Sequence, residues 1–324
     1  MQQWIHIVGV VVSVFLAMGI GALVRRLGWL TAEADASLFK LVIRLLMPCL
    51  ILQAVMGNQS LRALENLALP PVVGYGLCAL GIGMAALIAR LGPGLTGLAT
   101  PEQRRTFAVC VGIFNYGFIP IPLVQGLFDR STLGVLFVHN VGVDLAIWTI
   151  GLLVLTGSLG RGWWKRIINP PSVAIVAAVG FNLLDVRPET LGPVWRTIEL
   201  LADAAIPTSL LLVGATIADE LRPDENLYTA GRTTRIISWA VGLRLLILPA
   251  IFLLVAHYVA ATVELQRVVV IESGQATAVF PIVMARHYGG SPGVAVRVVL
   301  ASGLLSLLTM PLWIGGGLSL LGLW

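Results

Sequence analysis

The strongest constraint on this chain is a succession of about ten continuously apolar stretches, each near 20 residues long, with short polar joints between them. A helix needs about 20 apolar residues to cross roughly 30 Å of hydrocarbon. Lipid offers no partner to a bare N–H or C=O, so only helices and closed barrels span it. The stretches lack the short alternating pattern of barrel strands, so they read as helices. Ten such spans use roughly 200 positions of the 324 and leave no room for a soluble catalytic or ligand-binding domain. Only 11% of the residues are charged, whereas a water-facing surface of this size requires about 25%. The net charge of +5 therefore reads as membrane topology, with the lipid bilayer as partner and no nucleic acid. The N-terminal segment lacks the basic region of a cleaved signal peptide, so the first span is expected to be retained.

The expected spans are 4–24, 38–56, 71–89, 106–128, 132–159, 171–184, 198–218, 236–259, 268–288 and 294–318. Fourteen Lys and Arg residues fall in alternate joints on one side, among them Arg25, Arg26, Arg161 and Arg222, against five on the other. The basic side faces the cytoplasm, which places both termini on the outer side of the cell (inner) membrane. Arg44 and Arg244 lie within spans, and Arg44 is expected to snorkel to the cytoplasmic face. Pro48 and Pro207 are separated by 159 residues, as are Pro122 and Pro281. This offset predicts two repeats, 1–160 and 171–324, joined by a short cytoplasmic linker, 161–170. Five spans per repeat is an odd number, so the second copy is inverted, an arrangement typical of secondary transporters.

The fourth span carries Asn115-Tyr116-Gly117-Phe118-Ile119-Pro120-Ile121-Pro122, and the ninth carries Glu272-Ser273-Gly274-Gln275 ahead of Pro281. Proline removes a backbone donor and clashes with the preceding turn, so both spans should break. Irregular backbone at membrane depth is tolerated where it is buried in protein or lines a wet cavity. If the two breaks cross, free amides can hold an anion and free carbonyls a cation. Asn115, His139, Asn140, Asp144, Asp203, Glu272 and Gln275 are polar residues deep in spans, where they mark either a pathway or interhelical hydrogen bonds. Glu272 is the foremost coupling candidate, with an ion pair to Arg244 as the structural alternative. Glycine runs at 19–21, 74–83 and 315–317 suit close helix packing, and Trp163-Trp164 suit an interfacial anchor. Cys49, Cys78 and Cys110 lie in apolar stretches with no CxxC and read as buried apolar residues. No GxxxxGK, HExxH or paired acidic motif is present, so the chain reads as neither an ATP-driven pump nor an enzyme.

Gly28-Trp29-Leu30-Thr31, the 41–52 segment with Pro48, the Asn115-Tyr116-Gly117-Phe118 break before Pro120 and Pro122, and Asn169-Pro170-Pro171 together resemble the auxin efflux carrier family. The tail from Phe280-Pro281 through Tyr288-Gly289 to Met310-Pro311-Leu312-Trp313 is similar too, so the resemblance covers nearly the whole chain. The chain resembles the short, prokaryotic type of that family, lacking the long central hydrophilic loop of many plant members. The resemblance implies an all-α integral membrane protein of ten helices in two inverted five-helix repeats, with broken, crossing fourth and ninth helices, as in sodium/proton antiporters and bile-acid symporters. It also implies a scaffold, a mobile transport domain moving as an elevator, and a homodimer.

By the same analogy, Asn115 and Asn140 contact a substrate carboxylate, with Pro120, Pro122, His139, Gln275 and Pro281 around it. Asn115, Asp144, Glu272 and Gln275 are the candidate ion-coupling set. Glu272-Ser273-Gly274-Gln275 resembles the sodium-site pattern of bile-acid symporters, but Gln275 comes one residue early. Sodium at Glu272, a proton on Glu272 or Asp144, and uncoupled movement stay open, and no cofactor is expected. The expected function is secondary transport of a small organic anion, a carboxylate or auxin-like weak acid. A membrane carboxylate receptor on the same fold and a ten-helix exporter of another fold are the alternatives.

Overall fold

The computed structural model describes residues 2–159, 162–220 and 230–324. Arg161 and Arg222, both counted in the charge bias, lie outside the described residues, as does the first position of the 161–170 linker. In chain order the principal helices are α1 (Gln2–Arg26), α2 (Ala32–Val55), α3 (Leu64–Ala89), α4 (Pro101–Gly112), α5 (Pro120–Leu127) and α6 (Arg130–Thr156). They continue with α7 (Pro170–Leu183), α8 (Pro193–Glu220), α9 (Gly231–Tyr258), α10 (Val263–Ser273), α11 (Phe280–His287) and α12 (Pro292–Leu321). Regular structure among the described residues is entirely helical. Seven helices, α1, α2, α3, α6, α8, α9 and α12, are long and apolar enough to cross a membrane, which makes this a multi-pass membrane protein.

Three of the ten expected stretches are not long single helices. Those at 106–128 and 268–288 are each divided in two, and the stretch at 171–184 forms the 14-residue α7. The long helices also overrun their apolar stretches, because a helix continues while its backbone bonds are met. Helix α3 begins at Leu64 and carries Pro70 and Pro71 inside it. Local chemistry sets several starts. Thr100 and Gln103 close a capping box on α4, while Asp129, Asn169 and Thr262 accept N-cap hydrogen bonds at α6, α7 and α10.

The paired mid-span prolines behave differently from each other. Pro48 follows a π turn, Val42–Leu46, whereas Pro207 sits within the continuous α8. A second π turn, Gly242–Ile247, precedes Pro249 in α9, and a third, Ile147–Gly151, interrupts α6.

Glycine sets the helix spacing. A Cβ on Gly21 of α1 would overlap the Leu211 backbone of α8, and one on Gly214 of α8 would overlap the Met18 backbone of α1. Gly74 of α3 meets His139 of α6, and Gly142 of α6 meets Pro71 of α3, in the same reciprocal way. Helices α1 and α8 thus press together, α2 packs on α7 and α8, and α3 packs on α4 and α6. Of the glycine runs, Gly21, Gly74, Gly81, Gly315 and Gly317 are close-packed, while Gly19, Gly76, Gly83 and Gly316 face open space. Arg25, buried at the end of α1, bonds Asp35 of α2 and lies 3.2 Å from Asp219 of α8. Trp164 is exposed beside Lys165, and Arg166 stacks over Trp148 and Tyr288.

Candidate functional site: the paired helix breaks

Helix α4 ends at Gly112 and α5 begins at Pro120; α10 ends at Ser273 and α11 begins at Phe280. Each second half starts with proline in its first turn, where the missing N–H costs nothing. The two irregular stretches satisfy one another. The Asn115 amide donates to the Ala276 carbonyl at 2.8 Å, and the Ala278 amide donates to the Ile113 carbonyl at 3.0 Å. Phe114 and Thr277 thereby form an isolated antiparallel bridge in an otherwise helical protein. Backbone that leaves the helix inside a membrane must find such partners.

Helix α6 supports the first break. Asn140 Nδ2 donates to the Tyr116 carbonyl at 2.6 Å, and the Tyr116 hydroxyl donates to Asp144 Oδ1 at 2.6 Å. His139 is fully buried, its Nδ1 lies 3.3 Å from Asn140 Oδ1, and its Nε2 has no partner among the described residues. Behind the second break, Gln275 Nε2 donates to the Ile271 carbonyl at 2.9 Å. Both carboxylate oxygens of Glu272, and Oε1 of Gln275, are buried without a hydrogen-bond partner among the described residues. No three His, Cys, Asp or Glu side chains come together there among the described residues, so oxygen donors for a cation would be Glu272, Gln275 and break carbonyls. The Glu272–Arg244 ion pair, the structural alternative to a coupling role, is not formed. Arg244 is fully buried and donates to backbone instead, from Nε to the Gln275 carbonyl at 2.9 Å and from Nη2 to the Glu272 carbonyl at 3.3 Å.

A cavity of about 180 Å³ lies on the opposite side of the breaks, between them and helices α1, α8 and α12. Asn115 and Thr277 supply its polar side chains, and the rest of the wall is apolar, including Phe15, Met18, Val213 and Leu304. Ile119 and Val279, the N-caps of α5 and α11, both line it. Thr277 Oγ1 is buried without a partner, and the Thr277 amide is held by Ser302 Oγ at 3.3 Å. A larger cleft of about 540 Å³, which includes Pro122, opens on the surface beside the first half of α1.

The sequence-derived candidates therefore separate. Asn115 lines the cavity; His139, Asn140, Gln275 and Glu272 are buried and do not line it, Asn140 holding the Tyr116 carbonyl of the first break; Pro120 and Pro281 lie in the first turns of the second half-helices; and Asp144 joins Tyr116. Asp203 is exposed on α8 and does not line the cavity. Arg44, within the π turn of α2, is also exposed. Sequence reasoning missed Thr277, Ser302, Tyr116 and the central place of Arg244. An arginine inside an apolar span was itself the signal for the last.

Interrupted helices that face a cavity in a multi-span helical protein are an arrangement characteristic of membrane transport proteins. The sequence pattern of the family described as "Membrane transport protein" matches residues 6–162 and 155–314, and the chain belongs to that family, the auxin efflux carriers. It is 26% identical over 308 residues to an uncharacterized transporter of Methanothermobacter thermautotrophicus, covering 94% of this chain and 96% of that relative. It is also 24% identical over 152 residues to Protein ECM3 of Saccharomyces cerevisiae, covering 45% of this chain and 24% of that protein.

Proposed function

We propose that this protein is a secondary transporter of a small organic anion whose carboxylate sits at the paired breaks. The observation that carries the reading is the 180 Å³ cavity onto which both half-helix N-caps, Ile119 and Val279, converge beside Asn115 and Thr277. The first turn of α5 has no free N–H, since Pro120 and Pro122 lack one and the Ile121 amide bonds the Gly117 carbonyl. The support for an anion is therefore the positive dipole end of α5 and α11 together with the Asn115 side-chain amide and the Thr277 hydroxyl. The remaining wall is apolar, so a compact monocarboxylic acid fits it better than a dicarboxylate. A second carboxylate would be buried against Phe15 and Met18 without a partner.

Counting each broken pair as one crossing, α4 with α5 and α10 with α11, and α7 as a short span, gives ten spans in two inverted repeats, 1–160 and 171–324. In this reading the broken helices cross at Asn115 and Ala276. The cavity lies between α1 and α8 on one wall and the breaks with α12 on the other. This arrangement supports a scaffold of α1, α2, α7 and α8 and an elevator-type transport domain made of the rest. Both termini lie on the outer side of the inner membrane, and the scaffolds pair in a homodimer. Glu272, with Asp144 as the second candidate, carries the coupling charge.

Uptake of radiolabelled small monocarboxylates into proteoliposomes tests this reading. Accumulation above empty vesicles supports it. Saturable binding without uptake would mean a receptor, and neither binding nor uptake would discard the substrate class.

A further inference from the structure

Arg244 is the largest fully buried side chain among the described residues, and the transport reading gives it no task. Burying a guanidinium is expensive, and an apolar side chain of similar volume would often fill such a site at equal or better stability. Its surroundings compensate with an unusual specificity. The π turn Gly242–Ile247 of α9 carries it to the second break, where Nε and Nη2 reach the carbonyls of Gln275 and Glu272. Its Cζ lies over the Phe114 and Phe252 rings, 5.2 Å and 5.1 Å from their centroids, and those two rings meet edge to face. Ring faces attract a cation, and the C-terminal end of α10 carries the negative pole of its dipole. The two breaks are unequal in this respect. In each break one carbonyl, Ile113 or Ala276, is met by a backbone amide of the other, and a second is met by a side chain, which is the neutral Asn140 amide at Tyr116 in the first and the charged Arg244 at Gln275 in the second.

We propose that Arg244 is a resident cation of the paired breaks, its guanidinium taking the carbonyl position that a coupling sodium ion would need, so that the protein works without sodium. The inference rests on the transporter reading and deepens it. In transporters with discontinuous helices, unwound carbonyls and half-helix C-termini coordinate the coupling cation. Here those acceptors already hold a tethered positive charge, while Arg244 Nη1, both Glu272 carboxylate oxygens and Gln275 Oε1 are buried without a hydrogen-bond partner among the described residues. Removing the guanidinium would leave the two carbonyls, the Glu272 carboxylate and Gln275 Oε1 as a cluster of oxygens suited to a small cation. Arg244 is thus a positioning residue with a charge role.

The test is thermal unfolding of the purified full-length protein in sodium, potassium and N-methylglucamine chlorides. For the native protein the midpoints in sodium and potassium agree to within about 1 °C, because there is no sodium site to link to folding. Arg244→Ala unfolds earlier, gains a sodium-specific rise of about 2 °C or more, and is also raised by low-millimolar guanidinium. A purely structural arginine would not produce either rescue. Arg244→Lys keeps a charge and stays indifferent to sodium.

A saturable sodium-specific stabilisation of the native protein or of Arg244→Lys overturns the proposal. So does an Arg244→Ala protein that folds yet responds to neither sodium nor guanidinium. If Arg244→Ala does not fold, the native protein and Arg244→Lys decide. Monocarboxylate uptake measured in the same salts keeps the two readings apart. Absent uptake in every salt rejects the transporter, whereas uptake that collapses at least tenfold in potassium rejects only the resident cation.

Discussion

The Asn115 amide donates to the Ala276 carbonyl, 161 positions further along the chain, at 2.8 Å. That bond joins two segments that each left a helix, and it turns the Asn115 side chain towards the cavity. Its Oδ1 accepts only a long contact, 3.4 Å, from the Gly117 amide. Backbone holds the break together, which leaves the side chain available to a ligand.

Asn115→Ala should therefore lower carboxylate affinity about tenfold or more, the loss of one hydrogen bond to a charged group, while the unfolding midpoint moves little. Isothermal titration beside a melting curve checks both. Unchanged affinity in the folded variant would remove Asn115 from the substrate site.

Two glycines on the cavity wall separate space from packing. A Cβ on Gly303 meets nothing within 4 Å, whereas one on Gly214 would overlap the Met18 backbone. Gly303→Val should fold and lose substrate binding by filling the cavity. Gly214→Val should be destabilised by about 2 kcal/mol or more through forced separation of α1 and α8. Melting curves and uptake of the two variants should diverge in this way.

The Tyr116 hydroxyl binds Asp144 at 2.6 Å. Tyr116→Phe removes one of the two side-chain donors of the half-buried carboxylate, leaving Asn169, and should cost about 1 kcal/mol. Tyr116→Phe with Asp144→Asn should recover part of that loss, and a double-mutant cycle measures it. Strict additivity would deny the coupling.

The Glu272 carboxylate does not line the cavity and has no hydrogen-bond partner among the described residues. Glu272→Gln should keep substrate affinity within about threefold, because the deleted charge touches no ligand. Gradient-driven accumulation in proteoliposomes should be lost. Undiminished accumulation would exclude Glu272 from coupling.

Arg25 and Arg62 both face acids across helix ends, yet with different consequences. Arg25 has a side chain only 6% exposed and faces Asp35 and Asp219. Arg25→Ala should cost about 3 kcal/mol, since it strands partly buried carboxylates. Arg62 holds Asp185, an exposed carboxyl that the Arg62 hydrogen bond keeps below its ordinary range. Arg62→Ala should leave the melting midpoint nearly unchanged, as solvent screens such a pair.

The sequence alone determined the solvent of this protein and the positions of its irregularities. Hydrophobic length is a local property, and so is proline's missing donor. Hence the membrane spans, the interruptions before Pro120 and Pro281, and the candidacy of Asn115 and Glu272 could be read from neighbours along the chain. The partners of the broken segments could not be read in this way. Phe114 meets Thr277, Arg244 finds the Gln275 carbonyl, and Ser302 holds the Thr277 amide, in each case across more than 20 residues. Such pairings depend on how α9, α10 and α12 pack around the breaks. Tertiary structure alone decided that Asn115 faces the cavity, that His139 and Gln275 do not line it, and that Arg244 serves backbone carbonyls instead of the Glu272 carboxylate. A side chain's direction follows from the packing of distant helices, and the order of residues along one helix does not specify it.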